Sequence, residues 1–374
     1  MQTSIPSQLG YPQELIDGII QFLHDEKTAL LNCSLITECT TRNRKIVQNG
    51  NTFLDLLSSS GNTVVPYITA LSLNVQEPWL VEEILRATLG APLAELSVKS
   101  HTRPWNTPSS LTEFCESFPN LVDLSLAPIF TLDDEILQFL SRFKGLRSLS
   151  LTPFFKADRA DKFPTDISLS GLNQLETLRL SFKSAAMLEW FQISGWTPRL
   201  TTLDIILYRH HHKGWGPVSQ LNSLLEKNQN TLEHLRIKVE YYNEIHDWED
   251  SPDGLDFGHM SLSCLTHLRS FSARVHDIEA VCEALASIQD STQIEHVTIH
   301  TESWPLQGGY SNVVSCSREM VWRRVNELFD KKHLSQAKTL KVVLPMYYGE
   351  DGMSMVREWL TDCGRREILS LDQE

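Results

Sequence analysis

The chain repeats a six-residue phrase whose first, fourth and sixth positions are apolar. The phrase is clearest at Leu121–Leu126, Leu146–Leu151 and Leu175–Leu180, and successive copies begin 25 to 43 residues apart. In an extended strand side chains alternate between two faces, so the fourth and sixth positions lie on one face and the fifth on the other. Each phrase therefore predicts a short strand with one buried face. Ten copies begin at Ile68, Leu93, Leu121, Leu146, Leu175, Leu200, Leu232, Leu268, Ile294 and Ala337.

A phrase of this kind at intervals of roughly 20–30 residues is the pattern of leucine-rich repeats, which have a strand and a helix in each unit. One unit cannot bury its own apolar face, so neighbouring units stack into a solenoid. We therefore predict an α/β leucine-rich-repeat solenoid over residues 67–374. It is a horseshoe with parallel strands on the concave face and helices outside, including helices near 132–143 and 278–288.

The N-terminal part of the chain has a different pattern. Apolar residues recur there at the three- and four-residue spacing of an amphipathic helix, and Pro12 occupies a position tolerated in a first turn. The predicted first helix carries Leu15, Ile16, Ile19, Ile20 and Leu23. After a polar break, Thr28 is suited to begin a second helix. This second helix carries Leu30, Leu31, Cys33 and Leu35.

The ordered string Pro12-x-Glu14-Leu15-Ile16-x-x-Ile19-Ile20-x-Phe22-Leu23, with Leu30-Leu31-x-Cys33-Ser34-Leu35, resembles an F-box. With the segment 53–73, it is similar to the F-box/leucine-rich-repeat proteins expanded in mushroom-forming (basidiomycete) fungi. The resemblance implies a small all-α F-box-like domain at 1–50, a connecting helix or linker at 51–66, and the repeat domain at 67–374.

The resemblance also implies a function. The chain would be the substrate-recognition adaptor of a Skp–cullin–F-box type E3 ubiquitin ligase, with its repeat surface binding a target protein. The residues implied to contact the Skp adaptor are Pro12, Leu15, Ile16, Ile19, Leu23, Leu30, Leu31 and Leu35. Two alternatives stay open. The N-terminal helices could form a cap over the open end of the solenoid, and the chain could be a protein-interaction scaffold with a decayed F-box and no ligase.

Outward-facing positions of the strands change in character along the chain. In the first four repeats they are mostly small, hydroxylated or acidic, whereas cations and histidines collect from the fifth repeat onward. The predicted partner-binding residues are Arg179, His234, Arg236, Lys238, Arg274, His296, His300 and Lys341. Arginine forks bind carboxylate and phosphate well, so we predict that they bind an acidic or phosphorylated protein segment. Four of them, Arg179, Arg236, Lys238 and Arg274, are predicted to converge on one concave surface with charges largely unpaired by this chain's own carboxylates.

We call these eight predicted partner-binding residues the basic strip. The alternative interpretation is that the basic strip is an ordinary solvated strand face. The segment 241–259, which is acidic and aromatic, has two open interpretations as well, a partner-contacting loop and a solvated loop. If this segment folded over the strip, it would neutralise it.

Charge narrows the choice of partners. The formal net charge is −14. This charge disfavours nucleic acid and anionic membrane surfaces as partners, because proteins that bind them carry an excess of Lys and Arg. The seven cysteines include no C-x-x-C pair, so they predict thiols in a reducing compartment, cytoplasmic or nuclear.

Motifs for catalysis and cofactors are absent from the sequence. It has no phosphate-binding loop, no dinucleotide-binding glycine pattern, no H-E-x-x-H and no G-x-S-x-G. The cluster His210-His211-His212 is interpreted as a polar loop tip, because three adjacent side chains cannot all face one metal ion. We predict no enzymatic activity, no cofactor and no metal.

Overall fold

The structure is a computed structural model. It describes residues 32–34, 54–55, 57–58, 65–74, 78–99, 117–127, 139–152, 170–182, 188, 196, 198–209, 217–241, 260–275, 278–301, 311–330, 334–346 and 349–373. The chain divides into two compact units, Met1–Lys156 (unit 1) and Ala157–Glu374 (unit 2). Both units are built from parallel strands joined through helices and loops, which confirms the predicted α/β class and its parallel pairing.

Unit 1 contains five described strands, each paired in parallel with the next in chain order. A 3-10 turn at Val65–Tyr67 precedes the second strand, and helix α1, Pro78–Ala87, follows it. The strands are β1 Asn32–Ser34, β2 Ala70–Asn74, β3 Glu95–Lys99, β4 Asp123–Ala127 and β5 Ser148–Leu151.

Unit 2 contains seven described strands, again paired in parallel and in chain order. The strands are β6 Thr177–Phe182, β7 Thr202–Arg209, β8 His234–Tyr241, β9 Ser270–Val275, β10 His296–Thr301, β11 Thr339–Leu344 and β12 Leu369–Gln373. The helices are α2 Pro217–Lys227, α3 Ile278–Ala286, α4 Ser311–Asp330, α5 Gly349–Trp359 and α6 Thr361–Arg365, with a 3-10 turn at Ser170–Leu172.

All ten phrases lead into a strand, as the apolar pattern predicts. In the phrase that begins at Leu200, the apolar residues Leu200, Leu203 and Ile205 are all fully buried. The residues between them on the strand are partly exposed. The predicted helix near 278–288 is present as α3, whose Val281, Cys282 and Leu285 are buried. In the predicted helix near 132–143, residues 139–141 are helical and the preceding residues lie outside the described part.

Backbone hydrogen bonds set the stacking of successive repeats before each strand begins. The amides of Arg269 and Ser270 both donate to the carbonyl of Glu233, at 2.8 and 2.9 Å. The same fork recurs one repeat later, where the amides of Glu295 and His296 donate to the carbonyl of Arg269. Each fork aligns the first residues of adjacent strands. The register therefore stays constant although the phrase starts in unit 2 are 25 to 43 residues apart.

Buried polar side chains connect neighbouring repeats away from the strands. The Asn228 side chain accepts a hydrogen bond from the amide of Leu200 (2.9 Å) and donates one to the carbonyl of Leu224 (2.8 Å). The hydroxyl of Thr292 donates to the carbonyl of Leu265 at 3.1 Å. These bonds provide partners for backbone groups that the turns would otherwise leave unpaired. Buried backbone groups without partners destabilise a fold.

The second predicted N-terminal helix is wrong at its centre. Asn32–Ser34, which includes Cys33, forms strand β1 and pairs in parallel with Ala70–Ser72 of β2. Asn, Cys and Ser are weak helix formers, and an edge strand such as β2 offers unpaired backbone groups for a neighbour. All eight residues implied to contact the Skp adaptor, from Pro12 to Leu31 and at Leu35, lie outside the described residues.

Strand β12 was not predicted because its phrase has a polar first position. Leu369 and Leu371 pair with Leu340 and Val342 of β11, so the first position of this phrase falls on Arg366. The Arg366 guanidinium donates hydrogen bonds to the carbonyls of Phe329 and Ser335, both at 2.7 Å. A charged side chain thus caps backbone carbonyls where the other phrases place an apolar residue.

Candidate protein-interaction face

The candidate site is the outward face of the strands of unit 2, where strand register arranges the side chains in three rows. The amino row contains Thr177, Thr202, His234, Ser270, His296 and Thr339. The central row contains Arg179, Asp204, Arg236, Ser272, Thr298, Lys341 and Ser370. The carboxyl row contains Ser181, Ile206, Lys238, Arg274, His300, Val343 and Asp372.

All eight residues of the predicted basic strip belong to these rows. Adjacent strands lie about 4.8 Å apart, so Arg179 and Arg236 are about two strand spacings apart in the central row. Lys238 is directly opposite Arg274 in the carboxyl row. Lys238, Arg274 and His300 are half-buried, and the other five residues are exposed. Register therefore brings the predicted residues together on one face of one unit.

Carboxylates of unit 2 lie close to Lys341 and Arg236. Lys341 Nζ lies 2.6 Å from an oxygen of Asp372, on the neighbouring strand. The Arg236 guanidinium lies 3.9 Å from an oxygen of Asp204, which is too far for a hydrogen bond. The prediction of largely unpaired charges is therefore only partly met at Arg236, and Lys341 is not among the four residues for which it is made. The acidic segment predicted as a possible cover, 241–259, lies outside the described residues beyond Tyr241.

Asp204 is the residue of this face whose importance the sequence did not reveal. Its side chain is only 19% exposed, and its Oδ1 is buried and has no hydrogen-bond partner among the described residues. Burial raises the pKa of the Asp204 carboxyl, while Arg236, Arg179 and Lys238 act to lower that pKa. The spacing of the phrases places this residue in an outward column between Arg179 and Arg236, but it does not reveal the burial.

Histidines of the amino row have polar neighbours. His296 Nδ1 lies 2.9 Å from the hydroxyl oxygen of Thr339, and its Nε2 lies 3.9 Å from Glu295. A hydrogen bond from Lys338 is the main reason that the pKa of Glu295 is lowered. His296 is thus held on the face by its neighbours, at a position where it can meet a partner.

Three further features can be looked for among the described residues: a metal site, a reactive thiol and a membrane-spanning helix. Among them, no group of three His, Cys, Asp or Glu side chains is placed to hold a metal ion; the cluster 210–212 lies outside them. Burial raises the pKa of the Cys363 thiol to about 12, so this thiol stays protonated and unreactive at neutral pH. None of the described helices combines the length and apolar character needed to cross a membrane.

Comparison of the sequence with protein-family models and with curated proteins finds no match. The assignment of this face therefore depends on the repeat pattern, the strand register and the charges described above.

Proposed function

We propose that this chain is the substrate-recognition adaptor of a Skp–cullin–F-box type ubiquitin ligase and that the outward face of unit 2 binds the target protein. The N-terminal segment binds the Skp adaptor, and the repeats form a leucine-rich-repeat solenoid that presents its strand face. The ligase supplies the reactive thioester, so this chain contributes by holding the target close to it.

The observation that carries the proposal is the separation of tasks between the two faces of the strands. Inward residues such as Leu235, Ile237 and Phe271 are buried and hold the repeats together. Apart from Ile206 and Val343, the residues of the three outward rows are polar or charged. A regular face with a concentration of cations is suited to a protein partner that is acidic or phosphorylated.

The experiment is co-purification of the Skp adaptor with the full chain. The double variant Ile16→Asp/Ile19→Asp places charges on the apolar side of the predicted first helix and is expected to abolish recovery of the adaptor. The matched control is Gln13→Asp/Gln21→Asp, which adds the same charge at polar positions. Circular dichroism melting checks that both variants keep the repeat fold. Equal recovery of the adaptor with both variants would contradict the F-box assignment.

A second candidate is a protein-interaction scaffold without a ligase, and strand β1 favours it. Cys33 and Ser34 belong to the phrase that resembles an F-box, yet they pair with β2 as a strand rather than forming a helix. Pairing of this kind joins the N-terminal segment to the repeats as a structural edge. Failure of the unmodified chain to recover the Skp adaptor, with target capture retained, would support the scaffold.

A further inference from the structure

Strand β12 is the last strand of unit 2, and within the described part of the chain it pairs with β11 alone. Its inward side chains are less buried than those of the strands before it. The inward apolar residues described on β6 to β11, such as Ile237 and Val342, are at most 5% exposed. Leu369 and Leu371 of β12 are only half-buried. The apolar core of unit 2 is therefore incompletely covered at this strand.

The bonds of β12 to β11 show which of its backbone groups point to the free edge. The amide of Leu340 donates to the carbonyl of Ile368 at 2.8 Å. Along a strand, every second residue directs its amide and carbonyl to the same side. Alternate residues of β12 therefore bond to β11, and the residues between them direct their amides and carbonyls to the free edge. These edge-facing residues are Leu369, Leu371 and Gln373.

The sequence of β12 lacks the usual protection of an edge strand. Natural sheets protect free edges with lysine or proline, with a bulge or with a covering element. Strand β12 contains neither Lys nor Pro, and its register with β11 is continuous. Its charged residue, Asp372, lies 2.6 Å from Lys341 Nζ on the outward face, so its charge is compensated. This edge can therefore accept another strand.

The five residues of β12 are complementary to a second copy of the same strand. Two identical strands related by a two-fold axis run antiparallel and use the same surface. With Leu371 on the axis, Leu369 of each copy lies opposite Gln373 of the other. All edge-facing residues are then opposite one another, and each such pair exchanges two hydrogen bonds. This register leaves no edge-facing amide or carbonyl of β12 without a partner.

The side chains of β12 agree with this register on both faces. A two-fold axis perpendicular to the sheet keeps inward residues inward, so Leu371 packs against its counterpart beside the half-buried Leu369. On the outward face Ser370 lies opposite Asp372 of the other copy, in a pair without backbone bonds where side chains come closest. The serine hydroxyl can donate to this carboxylate. With Ser370 on the axis instead, Asp372 would lie opposite Ile368 and Gln373 would have no strand partner.

We propose that unit 2 associates with a second copy of this chain through antiparallel pairing of β12 with β12. The joined sheet carries the outward rows of both copies on one side, so the dimer offers two interaction faces to one partner. An interface of one short strand is small, and we expect a dissociation constant in the micromolar range. The inference goes beyond the proposed function and needs neither the Skp adaptor nor a target protein.

The test is sedimentation velocity of the purified full chain at concentrations from about 1 to 300 µM, a range that covers micromolar affinity. We expect the sedimentation coefficient to rise from that of a monomer to that of a dimer. A chain that stays monomeric throughout, as it would if the edge served only a different protein, overturns the inference. Growth beyond a dimer also overturns it, because an interface with two-fold symmetry is closed.

Leu371→Pro tests the backbone pairing. Proline removes the amide that donates across the axis, and it is tolerated on an edge strand where that amide faces solvent. We expect the dissociation constant to rise at least about tenfold. Leu371→Ala is the matched control, because it shortens the side chain but keeps the amide, and we expect a smaller rise. Circular dichroism melting checks that both variants fold. Equal rises would show that the backbone does not pair and would overturn the inference.

Cysteine variants test the register. Residues opposite each other in a hydrogen-bonded antiparallel pair have Cα atoms about 5.5 Å apart, which suits a disulfide. Leu371→Cys is therefore expected to form a linked dimer with oxidised glutathione, seen on a non-reducing gel. The control Ser370→Cys lies about 7–8 Å from its counterpart and should not link. Linkage of Ser370→Cys to an equal or greater extent, after subtraction of the unmodified chain, overturns the proposed pairing.

These assays contain only the purified chain, so their failure leaves the ligase proposal standing. Failure of adaptor co-purification likewise leaves the pairing of β12 intact.

Discussion

The inward residues of the strands are apolar in both units, whereas the outward residues differ between the units. In unit 1 register aligns five serines across the five strands, Ser34, Ser72, Ser97, Ser125 and Ser150. The corresponding central row of unit 2 contains three cations and Asp204. Inward positions remain apolar in both units. Leu124 and Leu149 of unit 1 and Phe271 of unit 2 are fully buried, and Leu235 of unit 2 is nearly so. The central row of unit 1 carries no charge, so we expect the charges in the central row of unit 2 to contribute little to folding.

The largest expected effect comes from breaking the inward side of this comparison. Phe271 is fully buried on β9, and Ser272 is its outward neighbour. We expect Phe271→Ala to lower the free energy of unfolding by about 3–5 kcal/mol, because the truncation removes buried apolar surface and leaves a cavity. Ser272→Ala, the control on the other face, is expected to change it by less than about 0.5 kcal/mol.

Urea denaturation followed by far-ultraviolet circular dichroism measures both changes. A similar loss for the two variants would mean that the outward face also supports the fold, and the distinction between the two faces would no longer hold.

A pH-dependent effect comes next, at Asp204. Burial raises its pKa in the folded chain, so the folded state holds this proton more tightly than the unfolded state does. The stabilising effect is complete below the unfolded pKa of about 3.9 and is lost as the pH rises towards the raised value. Asp204→Asn does not titrate, so the free energy of unfolding of this variant, relative to the unmodified chain, should increase as the pH is raised from about 3.5 to 7.

Urea denaturation at both pH values gives this difference, from which the titration of all other groups cancels. A change of the opposite sign would show that Arg236, Arg179 and Lys238 outweigh burial at this carboxyl. Asp204 would then be a stabilising ion-pair partner, and the charges of the central row would contribute to folding after all.

The smallest effect is expected from exchanging the character of the two outward rows. Ser125→Arg introduces a unit 2 residue type into unit 1, and Arg236→Ser does the reverse. Both positions are on the outward face, so each change should alter the free energy of unfolding by no more than about 0.5 kcal/mol. Thermal melting compares the variants with the unmodified chain. A large loss for Arg236→Ser alone would assign a structural role to the ion pair with Asp204.

Most strands could be predicted from the sequence because burial imposes the same apolar spacing on every repeat. The exceptions have physical causes. Arg366 replaces the first apolar residue of the phrase before β12, since its guanidinium caps carbonyls of Phe329 and Ser335. Strand β1 is short and contains polar residues, so no apolar alternation marks it. The F-box residues from Pro12 to Leu31 and Leu35 stay predictions.

The candidate site was predictable as a set of columns but not as an electrostatic surface. Once the strand register is known from the phrases, the positions of Arg236, Lys238 and Arg274 follow. The ion pair of Lys341 with Asp372 could not be foreseen, because it needs strand β12. The burial of the Asp204 side chain could not be foreseen either, because the spacing of the phrases predicts an outward position for it.

The repeated backbone fork, in which two amides share the carbonyl of the preceding repeat, has a consequence for how such a chain can evolve. The position of each outward residue of unit 2 is defined by its strand and its row, and neither changes when the connecting loop becomes longer or shorter. Insertions between strands and substitutions on the face are therefore independent kinds of variation. Loops can lengthen during evolution without changing which residues the outward face presents. A few substitutions on that face can change the target while every strand keeps its place.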